Sequence, residues 1–247
     1  MARTRINFLS VPVDVVEQDE LGKELMNLVH SGEVNQICFV SIWDVLRARS
    51  NSEYLNCLKK AALILPVSKS IVSGAAFLKL PVPVRYNPFS AVIGILGELD
   101  KNFCSLYLLG GRKETLKTAE KNVRATFPNL HIVGRYVGYY SKNIENNIME
   151  AIRKASPSLV LIADGIKGNQ LWSYRRKKNF SSGLFLNYKD SFRIFSKRKK
   201  RVSPETFNRG LEIWTEIARN PAKIFLLFPF ISYLLVLLWY RCFRSSK

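Results

Sequence analysis

The chain has 247 residues with 38 Lys or Arg against 19 Asp or Glu, a formal net charge of +19. Apolar residues make up 47% of the chain, enough for a sizeable core, which argues against a disordered protein. The four cysteines lie far apart and there are only two histidines, which argues against a structural zinc site. We expect reduced cysteines, no metal site and no cofactor.

The amino-terminal segment does not have the pattern of a signal peptide. Met1–Ser10 carries two arginines but no continuous apolar run, and the acidic residues Asp14 and Glu17 follow soon after. We therefore expect the protein to remain in the cytoplasm, where reduced cysteines are also the rule.

In the first third of the chain, apolar spacing predicts alternating short strands and helices. The predicted strands are 11–13, 36–42 and 62–67, and the predicted helices are 19–32 and 45–62. The middle of the chain continues the alternation more regularly. Its predicted helices are 89–99, 114–127 and 144–155, and its predicted strands are 105–109, 130–133 and 159–163. One further helix is predicted over 204–218.

This alternation predicts an α/β protein built on a mostly parallel sheet with flanking helices. Ligands of such sheets bind at the carboxyl ends of the strands. Two glycine-containing loops follow predicted strands, at 110–112 and 164–168, and are therefore candidate ligand-binding loops.

The positive charge is concentrated toward the carboxyl terminus. Residues 175–201 contain eleven Lys or Arg and a single acid, Asp190. Ile224–Tyr240 then provides seventeen residues without a charge, flanked by Lys223 and Arg241. An apolar segment beside basic charge is typical of attachment to an anionic membrane. We expect an interfacial or re-entrant helix, with a short transmembrane span as the alternative, since a span needs about 20 residues.

Three stretches of sequence together resemble the WecG/TagA/CpsF glycosyltransferases. They are the strand, Gly-Gly turn and helix of 106–140, the strand and short glycine loop of 152–172, and the basic segment before Gly-Leu-Glu in 198–225. The opening of the chain, from Ile6 to Gly32, has a similar pattern.

The resemblance implies a Rossmann-like glycosyltransferase domain over 1–195 and a basic, apolar, helical, membrane-docking appendage over 196–247. It implies metal-independent transfer of an N-acetylmannosamine-type sugar from a UDP-sugar. The acceptor would be a polyprenyl-diphosphate-linked glycan at the cytoplasmic face of the membrane, in cell-surface polysaccharide biosynthesis. A homo-oligomer is compatible with this reading, and a nucleic-acid partner is not expected.

Glycines beside a helix start allow the backbone to approach a phosphate, so the donor is expected at the loops after the strands. The predicted donor-binding residues are Gly110, Gly111, Arg112, Gly138, Tyr139, Gly165, Asn169 and Gln170. The alternative is that the first loop is only a tight turn with a solvated arginine, and that Asn169 and Gln170 belong to a polar turn.

The expected catalytic positions depart from the family pattern. Ser41 retains a hydroxyl, but Trp43 stands where the family has an amide, and Val67 stands where it has the aspartate expected to act as general base. Asp44 is the nearest carboxylate and becomes the candidate base, with a helix-cap role as the favoured alternative. Arg85 matches the family's arginine.

The acceptor diphosphate is expected to contact the basic residues around Pro204. The candidates are Arg198, Arg201 and Arg209, and the alternative is a solvated basic loop. The altered positions leave a catalytically inactive relative of the family as a second hypothesis. Nucleic-acid binding, suggested by Trp172, Tyr174 and Phe180 near the basic run, is the third and least favoured.

Overall fold

The computed structural model describes residues 3–210 and 227–243. Six parallel strands form its central sheet in the spatial order β4-β3-β8-β7-β5-β6. These strands are β3 (Val34–Val40), β4 (Leu63–Pro66), β5 (Ser105–Leu109), β6 (His131–Tyr136), β7 (Leu159–Ile162) and β8 (Gly183–Asn187). A separate antiparallel hairpin consists of β1 (Thr4–Phe8) and β2 (Val11–Val15). The predicted α/β class with a parallel sheet is confirmed.

Helices cover both faces of the sheet. They are α1 (Leu21–His30), α2 (Ile42–Ser50), α3 (Ser52–Lys60), α4 (Lys69–Phe77), α5 (Pro88–Lys101), α6 (Lys113–Thr126), α7 (Glu145–Ala155), α8 (Gln170–Arg176), α9 (Ser191–Phe195), α10 (Pro204–Arg209) and α11 (Leu227–Phe243). Short 3₁₀ turns at 142–144 and 177–179 precede α7 and follow α8.

Strand β3 shows how the two-sided core is built. Its residues Ile37 and Phe39 pack into the apolar cluster that contains α5 and α6, whereas Cys38 and Val40 pack into the cluster that contains α2 and α3. All four residues of β7 are fully buried or nearly so. Continuous apolar runs of this kind are expected where helices cover both faces of a parallel sheet.

Two of the predicted elements differ in the structure. The helix predicted over 45–62 is two helices, because Asn51 is extended (φ −135°) and its side chain accepts a hydrogen bond from the Tyr54 backbone, starting α3 anew. The helix predicted over 204–218 is observed as α10, which ends at Arg209 because Gly210 is left-handed (φ 74°), and residues 211–218 lie outside the described residues. The sequence patterns did not reveal α4, α8, β8 or the hairpin strand β1.

Helix α11 packs along α2 and α4 rather than standing apart. Tyr233 and Leu237 are buried in the core cluster of the hairpin and α2, and the Tyr233 hydroxyl donates to the Ser70 carbonyl at 2.6 Å. Gly74 of α4 permits this close approach, because a Cβ there would collide with the Tyr233 side chain. Near the other end of α11, the Tyr240 hydroxyl lies 2.6 Å from Ser10 Oγ.

The outward face of α11 is apolar and exposed. Its solvent-facing side chains include Phe228, Ile231, Leu235, Leu238, Trp239 and Phe243. Within residues 3–210 and 227–243, no helix combines the length and the apolar character needed to cross a bilayer.

A buried aspartate joins the hairpin to the central sheet. Asp14 is fully buried, and its carboxylate accepts two hydrogen bonds from Arg5, at 2.7 and 2.8 Å, and one from Arg3. It also accepts the Ile64 backbone N–H of β4 at 2.7 Å. If the hairpin shifted on the sheet, each of these donors would lose its hydrogen bond to Asp14. Asp14 therefore fixes the position of the hairpin against β4.

We expect Asp14→Asn to lower the free energy of unfolding by about 2–3 kcal/mol, because an amide leaves the arginines without a buried counter-charge. Urea unfolding followed by circular dichroism measures this change. Glu150→Gln, which removes only the exposed pairs with Arg153 and Lys154, is the matched control and should change the midpoint little. Equal midpoints for the two variants would contradict the role assigned to Asp14.

Candidate functional site

Buried polar atoms without partners mark the carboxyl edge of the sheet. Among the described residues, four buried side-chain atoms have no hydrogen-bond partner: Ser68 Oγ, Asp164 Oδ1, Asn187 Nδ2 and Ser191 Oγ. All four lie at or just after the ends of β4, β7 and β8. Such groups are rare in proteins, and each costs stability unless something else bonds to it. Their concentration at one edge indicates a binding site there.

The topology creates a crevice at the same edge. After β3 the chain enters α2, which packs in the cluster of the hairpin, whereas after the neighbouring strand β8 it enters α9, which packs in the opposite cluster with α6. Adjacent strands whose connections leave in opposite directions open a crevice between their carboxyl ends, where ligands of α/β proteins bind.

This crevice holds a cavity of about 350 Å³, which we call the Ser41 cavity. Its wall brings together polar and charged side chains from the ends of three strands and the segment after α9. They include Ser41, Ser68, Lys69, Arg85, Asp190, Lys199 and Lys200, with the ring of Trp43. Four cations face one carboxylate among the described lining residues, so the cavity favours an anionic ligand.

Arg85 is held in place within the Ser41 cavity. Its Nε donates to the Val67 carbonyl at 3.0 Å, and another guanidinium nitrogen donates to the Phe207 carbonyl. The guanidinium carbon lies 3.8 Å from the centre of the Phe207 ring. Burial lowers the pKa of Arg85, although an arginine remains charged at physiological pH. The predicted site residue is therefore a fixed positive charge.

Ser41 and Asp44 form a reciprocal cap at the start of α2. The Asp44 carboxylate accepts the backbone N–H and the hydroxyl of Ser41, at 2.9 and 2.6 Å, and its other oxygen lies 2.7 Å from the Tyr54 hydroxyl. Ser41 lines the cavity, whereas Asp44 does not. With both oxygens engaged, Asp44 has the helix-cap geometry that was the alternative reading, and the geometry argues against it as the base.

A second cavity, of about 560 Å³, lies on the other side of the loop that follows β8. We call it the Tyr139 cavity. Of the predicted donor-binding residues it contains Tyr139, Gly165 and Asn169. The other polar and aromatic residues of its wall are Tyr140, Lys142, Glu145, Lys167, Arg176 and Lys189. In the described part of the chain, no carboxylate lies within ion-pair distance of Lys142, Lys167 or Lys189.

Glu145 organises the floor of the Tyr139 cavity. It accepts hydrogen bonds from Trp172 Nε1 at 2.8 Å, from Arg176 at 2.6 Å and from the Tyr140 hydroxyl at 3.2 Å. Burial opposes its charged form, but these donors outweigh that effect and the pKa of Glu145 is lowered. The same burial, with the Glu145 charge, raises the pKa of Tyr140 to about 12. Tyr140 is thus a neutral hydrogen-bonding group at physiological pH.

The glycine pair after β5 packs three loops together. The Gly110 N–H donates to the Tyr136 carbonyl at 2.9 Å and the Gly111 N–H to the Asp164 carbonyl at 2.7 Å, and both glycines are buried. Gly138 meets the same loop so closely that a Cβ would collide with the Asp164 carbonyl. In this conformation the two glycine amides are not free to bind a phosphate, which argues against the predicted amide cradle.

The neighbours of the glycine pair remain accessible. Arg112 is exposed, and its guanidinium lies 5.8 Å from the centre of the Tyr139 ring. Tyr139 is 61% exposed and its hydroxyl donates to Asp164 at 2.9 Å, and this hydrogen bond raises the pKa of Tyr139. The glycines therefore act indirectly, by setting the position of Tyr139 in the cavity wall, whereas Arg112 stacks near Tyr139 without lining the cavity.

Gln170 turns away from both cavities. It is 9% exposed, its amide donates to the Phe39 carbonyl at 2.9 Å, and its carbonyl oxygen lies 2.5 Å from the Tyr54 hydroxyl. Its side chain ties α8 to β3 and α3, so the geometry argues against a contact with the donor. The preceding residue, Asn169, lines the Tyr139 cavity with a left-handed backbone (φ 50°).

The basic residues before α10 divide between cavity and solvent. Arg198, Arg201 and Arg209 are exposed, and Arg201 lines an open groove together with Lys197. Lys199 and Lys200, which lie between the predicted arginines, line both this groove and the Ser41 cavity. The sequence shows this run only as one basic cluster, because which of its side chains face a cavity depends on the backbone.

Several site residues were missed because β8 was not recognised. Tyr188 and Asp190 line the Ser41 cavity and Lys189 lines the Tyr139 cavity, so the loop after β8 separates the two. The signal was present in the apolar run Leu184–Leu186 after Gly183. Recognising that run as a strand would have predicted a third ligand-binding loop at 187–190.

Comparison with known proteins gives a consistent result. The model of the glycosyl transferase WecG/TagA/CpsF family matches residues 6–247. Three bacterial relatives bear the name N-acetylglucosaminyldiphosphoundecaprenol N-acetyl-beta-D-mannosaminyltransferase. The Bacillus spizizenii protein is 23% identical over 71% of this chain and 68% of its own length. The Bacillus subtilis protein is 21% identical over 85% and 78%, and the Staphylococcus aureus protein 22% identical over 70% and 70%.

The family match extends from the first strand of the hairpin through the end of the chain, and so includes every residue of both cavities. The predicted resemblance is confirmed, and the chain belongs to the WecG/TagA/CpsF family of glycosyl transferases.

Proposed function

We propose that this protein transfers an N-acetylmannosamine-type sugar from a UDP-sugar to an N-acetylglucosaminyl-diphosphate-polyprenol at the cytoplasmic face of the membrane. The names of the Bacillus and Staphylococcus relatives support the transferred sugar and the acceptor. The observation that carries the proposal for this chain is the pair of cation-lined cavities on either side of the loop after β8.

The Tyr139 cavity fits the nucleotide end of the donor. Two tyrosines, one of them largely exposed, provide a ring on which a base can stack. Lys142, Lys167 and Lys189 provide positive charge without carboxylate partners in the described residues, which suits a diphosphate. A site built from side-chain cations rather than a bound metal is compatible with metal-independent transfer.

The Ser41 cavity fits the reacting sugar and the acceptor diphosphate. Arg85 is a fixed cation there, and Lys199 and Lys200 approach from the segment that precedes α10. Ser41 and Ser68 add hydroxyls that can bond to a sugar. Cations at this position would stabilise the negative charge that develops on the departing diphosphate.

The exposed face of α11 fits a lipid surface. The amino-terminal half of α11 contacts Ser70, whose neighbour Lys69 lines the Ser41 cavity, so the apolar face begins beside the cavity where a lipid-linked acceptor would react. Trp239 and Phe243 lie near Arg241, the combination of aromatic and basic side chains that favours an anionic membrane interface.

We expect the purified protein to bind UDP, and Lys167→Ala/Lys189→Ala to weaken that binding by on the order of a hundredfold, because each of the two lost charge-assisted hydrogen bonds contributes about 1.5 kcal/mol or more. Isothermal titration calorimetry measures the dissociation constants. Lys117→Ala/Lys121→Ala on the exposed side of α6 provides a control with the same change in charge. Undetectable UDP binding by the unaltered protein would refute the proposed function.

We expect Leu235→Ser/Leu238→Ser to reduce sedimentation with phosphatidylglycerol-containing vesicles several-fold, because both side chains are more than half exposed on α11 and polar replacements lose the gain of burial in lipid. Thermal unfolding should change little. Val133→Ser on β6, which removes another exposed apolar side chain, is the control. Equal sedimentation of both variants would count against docking through α11.

A further inference from the structure

The proposed transfer needs a proton acceptor in the Ser41 cavity, and Asp190 is placed to be one. It follows β8 and lines the Ser41 cavity together with Ser41 and Arg85. Among the described residues of that wall it is the sole carboxylate. The carboxyl ends of β3 and β4, on the same side of the crevice, offer Ser41 and Val67, neither of which can accept a proton efficiently.

The Asp190 carboxylate is not occupied by capping the helix that follows it. Asp190 precedes the first residue of α9, yet its side chain makes no hydrogen bond to the helix amides. One oxygen pairs with Lys199 at 2.5 Å, and the other lies only 3.9 Å from an Arg193 nitrogen. With a quarter of the side chain exposed, the second oxygen can accept a hydrogen bond from a ligand in the cavity.

We propose that Asp190 is the general base of this transferase, an inference that rests on the proposed function. In the step we assign, one carboxylate oxygen of Asp190 takes the proton from the acceptor hydroxyl. The acceptor oxygen forms a bond to the anomeric carbon of the donor sugar. The bond from that carbon to the diphosphate breaks, and UDP leaves with the electron pair.

Lys199 positions this carboxylate. Its ammonium group pairs with one oxygen and turns the side chain away from the α9 amides toward the cavity. Because Lys199 itself lines the cavity, the same cation also contributes to the positive field that holds the diphosphate. In the family pattern the expected base is an aspartate at the end of β4, where this chain has Val67. Here the carboxylate comes instead from the loop after β8, on the opposite side of the crevice.

The test compares Asp190→Asn with the unaltered full-length protein. The substrates are a UDP-N-acetylmannosamine donor and an N-acetylglucosaminyl-diphosphate-polyprenol. We expect kcat to fall by about 10²–10⁴-fold, while the dissociation constant for UDP changes less than about threefold. Asp100→Asn, at the carboxyl end of α5 and outside both cavities, should retain full activity. In the double variant Asp190→Asn/Val67→Asp, we expect a carboxylate at the β4 end to restore part of the activity.

The pH dependence separates a base from a residue that only binds substrate. An enzyme that relies on a carboxylate base loses activity in acidic solution, and we expect this decline to be absent from the residual activity of Asp190→Asn. The other titratable or charged groups at Asp190 and in the cavity wall are cations and one phenol: Lys69, Arg85, Tyr188, Arg193, Lys199 and Lys200. Lysine, arginine and tyrosine side chains already carry their protons at neutral pH, so acid does not change their charge and they do not reproduce that decline.

Each outcome decides between the proposals. Wild-type kcat and pH profile in Asp190→Asn would overturn the role of Asp190 and leave the proposed function standing. UDP binding without any transfer by the unaltered protein would overturn the role of Asp190 together with the proposed transfer, while leaving the UDP site standing. Failure of the unaltered protein to bind UDP would instead refute the proposed function.

Discussion

Parallel pairing of six strands is the constraint on which the whole site depends, because it brings the carboxyl ends of β3, β4, β7 and β8 to one edge. The four unpartnered buried polar atoms found among the described residues all lie at that edge. The other buried side-chain nitrogen and oxygen atoms of the described residues have hydrogen-bond partners, as the Asp14 carboxylate illustrates. Stability is thus given up locally, where a ligand can supply the missing bonds.

The loop after β8 divides this edge into two chemically different halves. One half combines aromatic rings and unpaired lysines, and the other combines serine hydroxyls, a fixed arginine and a single carboxylate among the described lining residues. Such a division suits a substrate that carries a base and a diphosphate at one end and a reacting carbon at the other. The family to which the chain belongs acts on sugars, and the proposed donor has this composition.

Much of the fold followed from apolar periodicity. The strand at Ser105–Leu109 was predicted with its observed bounds, and the helices around Phe89–Leu99 and Glu114–Phe127 were predicted to within two residues at each end. Strand β8 was missed because its short apolar run lies between two highly basic segments, which drew attention to charge rather than to periodicity. The break at Asn51 was missed because helical spacing continues across it, and the new start is revealed by the hydrogen bond from the Tyr54 backbone N–H to the Asn51 side chain.

The site was harder to predict than the fold, since chain proximity does not show which way a side chain turns. Asp44 and Gln170 are near the right loops in sequence, but hydrogen bonds to Ser41, Tyr54 and Phe39 engage their side chains within the protein. Lys199 lies between the predicted residues Arg198 and Arg201, and of these three residues it is Lys199 that lines the Ser41 cavity. The most direct measurement is a crystal structure of the full chain soaked with UDP. The account predicts a nucleotide base beside Tyr139 with its diphosphate directed past Lys189 toward Arg85, whereas UDP bound away from this edge of the sheet would contradict it.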